Sequence, residues 1–130
     1  MTKSIVVTRG VTGFLWLAQL VLGILFWTGH ALGLMQVHMA VGALFVIALW
    51  ALAIVCARAG APLSLVALVI ALGAGIAWLG YAQVQLLPGE HHSVVRVVHL
   101  LLGVLAMPLA GRVSMVTHRP SPSSPVRLVA

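Results

Sequence analysis

The chain has 130 residues, of which 62% are hydrophobic and only 6% are charged, and its mean hydropathy is +1.19. A soluble domain carries about 25% charged residues, so this composition excludes a water-facing surface over most of the chain and predicts an integral membrane protein. The formal net charge of +6 does not indicate nucleic-acid binding, because the seven Lys and Arg residues lie between and beyond the apolar segments rather than on one basic face.

Four apolar segments are long enough to cross a bilayer, which takes about 20 residues each. The spans are predicted at about residues 11–29, 35–57, 63–82 and 94–115, so that residues 1–116 form a single transmembrane domain. The first segment is longer than the core of a signal peptide, and we interpret it as a retained span. Short connections predict an all-α, up-down bundle in which the second and fourth spans are diagonal neighbours.

The charges between the spans predict the orientation of the chain. Only Arg96, together with Glu90, falls on one side of a chain that crosses four times, and the positive-inside rule therefore makes the opposite side cytoplasmic, with both termini. The tail at residues 117–130 is rich in Pro and Ser and is expected to be disordered. No transit peptide is recognisable, which favours a bacterial inner membrane. Six basic residues share the cytoplasmic side: Lys3, Arg9, Arg58, Arg112, Arg119 and Arg127.

The first two spans resemble the last two. Two pairs of stretches match in the same order, namely LFWTGHA with IAWLGYA and VHMAVGAL with VHLLLGVL. The second pair repeats the pattern His-x-x-x-Gly inside an apolar run. Two halves with the same orientation predict two repeated helical hairpins, related by a pseudo-twofold axis along the membrane normal.

The repeat places two histidines where they can act together. His38 and His99 are each expected about one helical turn below the outer interface, at equal depth and facing each other on diagonal helices. Two such imidazoles form an axial ligand pair for a planar macrocycle, and haem iron accepts histidine in this manner. Gly42 and Gly103 follow at position i+4 on the same helix face and make room for the ring. Hydrogen bonding between helices is the alternative role for the histidines.

Four spans with His38, Gly42, His99 and Gly103 resemble the four-helix membrane b-type cytochromes. The resemblance implies a non-covalent haem b held by two histidines, and electron exchange with a quinone or a partner protein. Many of those cytochromes hold two haems, one near each membrane face, but no histidine lies in the cytoplasmic half of any span here. We therefore expect one haem, on the extracytoplasmic side.

Four further residues are candidates for the cofactor site. Arg96 precedes His99 by three residues, where its guanidinium would pair with a haem propionate or simply extend to the interface. His30 follows the first span and is a reserve ligand or propionate partner, although contact with headgroups is the simpler interpretation. Trp27 and Trp78 lie at equivalent depth, where they would form an aromatic belt or pack against the haem edge.

Other polar residues carry weaker predictions. Gln19 shares a helical stripe with Trp27 and is expected to face the bundle interior, whereas His91 and His92 are expected in an exposed loop. Pro108 should kink the fourth helix.

Glu90 is the only acid in the chain, which excludes carboxylate-based chemistry inside the membrane and disfavours a cation transporter. Any reaction must therefore come from a cofactor. The leading hypothesis is a single-haem electron-transfer protein, or the electron-transfer subunit of a quinol-linked oxidoreductase. The small polar surface also predicts lipid, other membrane subunits or further copies of the chain as partners. The alternative is a cofactor-free structural or assembly subunit of a membrane complex.

Overall fold

The computed structural model describes residues 3–83, 85–86 and 89–117. The part described contains no strand, which confirms the predicted all-α class and the four-helix bundle. The predicted tail lies outside the described residues except for Thr117, and Arg119 and Arg127 lie outside them as well. Four long α-helices account for most of the chain: α1 (Lys3–Trp27), α2 (Met35–Arg58), α3 (Leu63–Ala82) and α4 (His92–Val116).

Each helix is long and apolar enough to cross a membrane. The shortest, α3, has 20 residues, and at a rise of 1.5 Å per residue it extends about 30 Å, the thickness of a hydrocarbon core. Many large apolar side chains point away from the bundle, among them Phe14 and Leu63, which are 72% and 75% exposed. The length of the helices and their apolar surfaces are compatible with a membrane protein.

Helix α1 begins eight residues before the predicted first span, so Lys3 and Arg9 lie on the helix rather than ahead of it. The hydroxyl groups in this first part bond within the helix and do not interrupt it. Thr8 Oγ1 donates to the Ser4 carbonyl oxygen at 2.8 Å, and Thr12 Oγ1 donates to the Thr8 carbonyl oxygen at 2.7 Å. With 25 residues, or about 37 Å, α1 is longer than a hydrocarbon core requires.

Helices α1 and α2 end in the same way, at a glycine with positive φ. The φ angles are 78° at Gly29 and 90° at Gly60. After α1, the His30 N–H donates to the Leu25 carbonyl oxygen at 2.7 Å and the Gly29 N–H donates to the Phe26 carbonyl oxygen at 3.1 Å; the same two bonds recur after α2. This is the Schellman motif, which pairs the last helical carbonyls and favours glycine because a side chain is strained at positive φ.

Helices that follow each other in the chain pack together, α1 also packs on α4, and α2 contacts α4 across the bundle. Pro108 lies inside α4, which continues as an α-helix on both sides of it. The most buried side chains come from the second halves of α2 and α4 and from the first halves of α1 and α3. They include Ile5, Leu49, Leu52, Ala53, Cys56, Val69, Ala106, Ala110 and Val113.

Gly73 and Trp50 determine how closely α3 approaches α2. Trp50 Nε1 donates to the Ile70 carbonyl oxygen at 3.1 Å, and a Cβ atom added at Gly73 would lie 2.5 Å from the same Nε1. We therefore expect Gly73→Ala to displace the indole and to lower the free energy of unfolding in detergent by about 1–3 kcal/mol. Gly75→Ala is the control on the same helix, because a Cβ there meets no atom within 4 Å. Equal losses for the two variants would contradict this packing.

Candidate functional site

A cavity of about 780 Å³ lies between the helices, away from the packed half of the bundle. It is lined by the last turns of α1 and α3 and by the first half of α2 and of α4. Pockets for small molecules and cofactors measure about 300–1,000 Å³ and are mostly apolar, so this cavity has the size of a cofactor site. Its wall is mainly apolar, with Leu20, Phe26, Met39, Val46, Ile76 and Leu100 among the lining residues.

His38 of α2 and His99 of α4 both line this cavity. In each ring Nδ1 is buried and has no hydrogen-bond partner in the described part of the chain. The Nε2 atoms are not fully buried and form no hydrogen bond with a described residue, so they are the ring nitrogens that remain accessible. Two helices that are distant in sequence thus bring two imidazoles to one cavity.

Residues of α1 hold His38 in place. Phe26 contacts the imidazole edge to face, with the ring centroids 5.2 Å apart and the ring planes at 73°. Gln19 Nε2 donates to the backbone carbonyl oxygen of His38 at 2.9 Å. Gln19 also lines the cavity, and its side chain therefore faces the bundle interior, in agreement with its position on the helical stripe.

Gly42 makes room for the Gln19 carboxamide. A Cβ atom added at Gly42 would collide with Gln19 Nε2. We expect Gly42→Ala to push the amide away from the His38 carbonyl and to cost about 1 kcal/mol of stability, the worth of one hydrogen bond. In unfolding experiments in detergent, the double variant Gly42→Ala/Gln19→Ala should be little less stable than Gln19→Ala alone, because both substitutions remove the same hydrogen bond. Additive losses would show that the two residues act independently.

His99 packs against α3 at a glycine. A Cβ atom on Gly80 would lie 3.1 Å from Cε1 of the imidazole, closer than ordinary van der Waals contact. Gly103, one turn along α4 from His99, lines the cavity and would meet no atom within 4 Å if it carried a Cβ. Its carbonyl oxygen accepts a hydrogen bond from Trp16 Nε1 at 2.9 Å. The space beside Gly103 is therefore open at the cavity wall, whereas the space beside Gly42, which the sequence predicted to make room for a ring, is occupied by the Gln19 amide.

Of the other residues predicted for the site, two lie at the cavity and two do not. Arg96 and Trp27 line it, and both side chains are exposed. Trp78, 62% exposed, and His30 are not among the lining residues. His30 Nδ1 lies 3.1 Å from Thr28 Oγ1 instead.

His92 joins the cavity although the sequence pattern predicted an exposed loop. It is the first residue of α4, lines the cavity, and has Nδ1 3.5 Å from the Leu86 carbonyl oxygen. Its neighbour His91 is exposed in a 3-10 turn. The spacing of His92, Arg96 and His99 at i, i+4 and i+7 places all three on one helix face, a signal that was present in the sequence.

The histidine pair suits a metal carried by a macrocycle better than a free ion. Within the ranges that the structure describes, no group of three or more His, Cys, Asp or Glu residues could hold a metal ion. Zinc sites use three or four protein ligands, whereas haem iron takes its axial ligands alone from the protein. Two imidazoles, a cofactor-sized apolar cavity and an arginine at its wall therefore fit a haem.

Comparison with known proteins found no matching protein-family model, no similar curated protein and no similar solved structure. The functional conclusion therefore depends on the cavity and on the two imidazoles that line it.

Proposed function

We propose that the chain is a membrane-embedded electron-transfer protein that holds one haem b between His38 and His99. The observation that carries this proposal is that two imidazoles from separate helices line one cavity, each with an Nε2 that no described residue bonds. When bound, the haem supplies a one-electron redox centre whose potential depends on its axial ligands and on its surroundings.

The residues around the cavity have distinct tasks in this proposal. His38 and His99 would coordinate the iron, and Phe26, in contact with the His38 ring, would limit the rotation of that ring. The apolar wall would keep water out of the site. Arg96 is exposed and lines the cavity, so that its guanidinium can pair with a propionate while remaining near water. Trp27 covers part of the cavity wall in the same region of the bundle.

We also propose that the helices cross the membrane as an up-down bundle of two repeated hairpins, with both termini in the cytoplasm. The lengths of the four helices and their short connections support this arrangement. The basic residues at the start of α1 and at the end of α2 would then be cytoplasmic, and the cavity would open on the extracytoplasmic side of a bacterial inner membrane. A haem held there would supply a one-electron centre for exchange with quinol from the lipid or with a partner protein in the same membrane complex.

The alternative is a cofactor-free structural or assembly subunit, in which the two histidines hold helices together by hydrogen bonds. In that role the rings should bond to each other or to a neighbouring helix. Neither His38 nor His99 has such a bond with a described residue through its ring, which favours the haem proposal.

The visible absorption spectrum of the protein, purified from haem-replete cells, tests the proposal. We expect a low-spin Soret band, and separate α and β bands on reduction. A well-folded but colourless preparation would contradict haem binding and would favour the structural subunit.

A further inference from the structure

Among the residues that the structure describes, three buried polar atoms beside the cavity have no hydrogen-bond partner: Gln19 Oε1, His38 Nδ1 and His99 Nδ1. Gln19 and His38 are in direct contact, since Gln19 Nε2 lies 2.9 Å from the His38 carbonyl oxygen. A carbonyl oxygen only accepts hydrogen bonds, so the amide nitrogen must face it, and Oε1 is the group left as a free acceptor. A buried acceptor and a buried ring nitrogen are therefore unpaired in the same neighbourhood.

We propose that Gln19 is a positioning residue that sets the tautomer of His38. One buried water accepts a hydrogen bond from His38 Nδ1–H and donates one to Gln19 Oε1, and this chain keeps the proton on Nδ1 and leaves the lone pair on Nε2. Buried waters commonly connect polar groups that otherwise lack partners. In a neutral histidine, the bond made by one ring nitrogen determines which form the other takes. The inference rests on the proposed function only in naming iron as the acceptor of that lone pair.

The sequence repeat makes the two histidines equivalent, and Nδ1 of each is unpaired among the described residues, but it is the His38 carbonyl oxygen that accepts the bond from Gln19. Helix α1 also bonds to a backbone carbonyl of α4. There Trp16 Nε1 donates to the carbonyl oxygen of Gly103 and not to that of His99. Aligning the repeats at their tryptophans places Ile70 opposite Gln19, and isoleucine has no hydrogen-bonding side chain. His99 is therefore an internal control for any effect of Gln19.

The experiment uses the full chain in detergent and two substitutions. Gln19→Met keeps the length of the side chain but removes its donor and its acceptor. Trp50→Phe is the matched control, because it also removes a bond from a side chain to a carbonyl of a neighbouring helix, and Trp50 does not line the cavity. Both variants should lose similar stability, so stability alone does not reveal the proposed role.

The first measurement is ¹⁵N NMR of the imidazole nitrogens in haem-free protein. We expect Gln19→Met to raise the Nε2-protonated share of His38 severalfold, and to leave His99 unchanged. In Trp50→Phe both rings should keep their wild-type tautomers. An unchanged His38 tautomer in Gln19→Met, or an equal change in His99, would overturn the inference.

The second measurement is the midpoint potential of haem-loaded protein. A hydrogen bond from Nδ1–H makes the imidazole a stronger donor to the metal, which favours ferric iron, so Gln19→Met should shift the potential upward while Trp50→Phe leaves it in place. An unchanged potential in Gln19→Met would count against the inference. A wild-type chain that takes up no haem contradicts the proposed function instead, and the NMR measurement then decides the role of Gln19 by itself.

Discussion

His38→Ala and His99→Ala should each remove haem from the protein, with affinity falling more than about 100-fold. Changes to residues that only support a metal ligand already cost about 10–100-fold in affinity, and each of these substitutions removes a ligand itself. The cavity would remain, since neither imidazole belongs to the packed half of the bundle. The measurement is the ratio of haem to chain in protein purified from the same cells.

His30→Ala is the matched control for both substitutions. His30 is exposed, contacts Thr28 and is not among the residues that line the cavity. Its removal should leave the ratio of haem to chain unchanged. Normal haem content in both His38→Ala and His99→Ala would show that the ligands lie elsewhere, and His92, which lines the cavity, would be the next histidine to test.

Gly80→Val should lower haem binding by about tenfold or more without unfolding the bundle. The added Cβ would lie 3.1 Å from His99 Cε1, and the branched side chain would force the imidazole away from α3. A displaced ligand cannot meet the iron at its coordination distance, since metal geometry tolerates only about 0.2 Å. Haem content and a size-exclusion profile, measured together, separate loss of ligand geometry from loss of fold.

Gly75→Val is the control for Gly80→Val, because it adds the same β-branched residue to the same helix. A Cβ at Gly75 meets no atom within 4 Å, and Gly75 does not line the cavity. Any cost of valine to the helix itself is therefore common to both variants. Equal haem content in the two would contradict the contact between Gly80 and His99.

Hydropathy predicted four helices because a bilayer requires a long apolar run for each crossing. It placed the start of the first segment too late for the helix, since hydropathy falls at Lys3 and Arg9 whereas α1 continues through both. The close approach of Gly73 to Trp50 was not predictable in the same way. It depends on the rotation of two helices about their axes, and uniformly apolar segments contain little information on that rotation.

The repeat predicted that His38 and His99 lie together, because two equal patterns of His-x-x-x-Gly stand out from an apolar background, and both residues line one cavity. The depth of Trp27 and Trp78 in the membrane could not predict which of them lines the cavity, since depth does not define the direction of a side chain. Trp78 precedes Gly80 by two residues, or about 200° around the helix, so it faces away from the cavity that Gly80 lines. The role of Gly80 itself depends on its contact with another helix, which no spacing within α3 reveals.

The electron paramagnetic resonance spectrum of the ferric protein tests most directly whether two imidazoles hold one iron. We predict a single low-spin species of the bis-histidine type, in an amount equal to one haem per chain. A high-spin signal, or a low-spin signal that persists unchanged in His38→Ala and His99→Ala, would contradict the account.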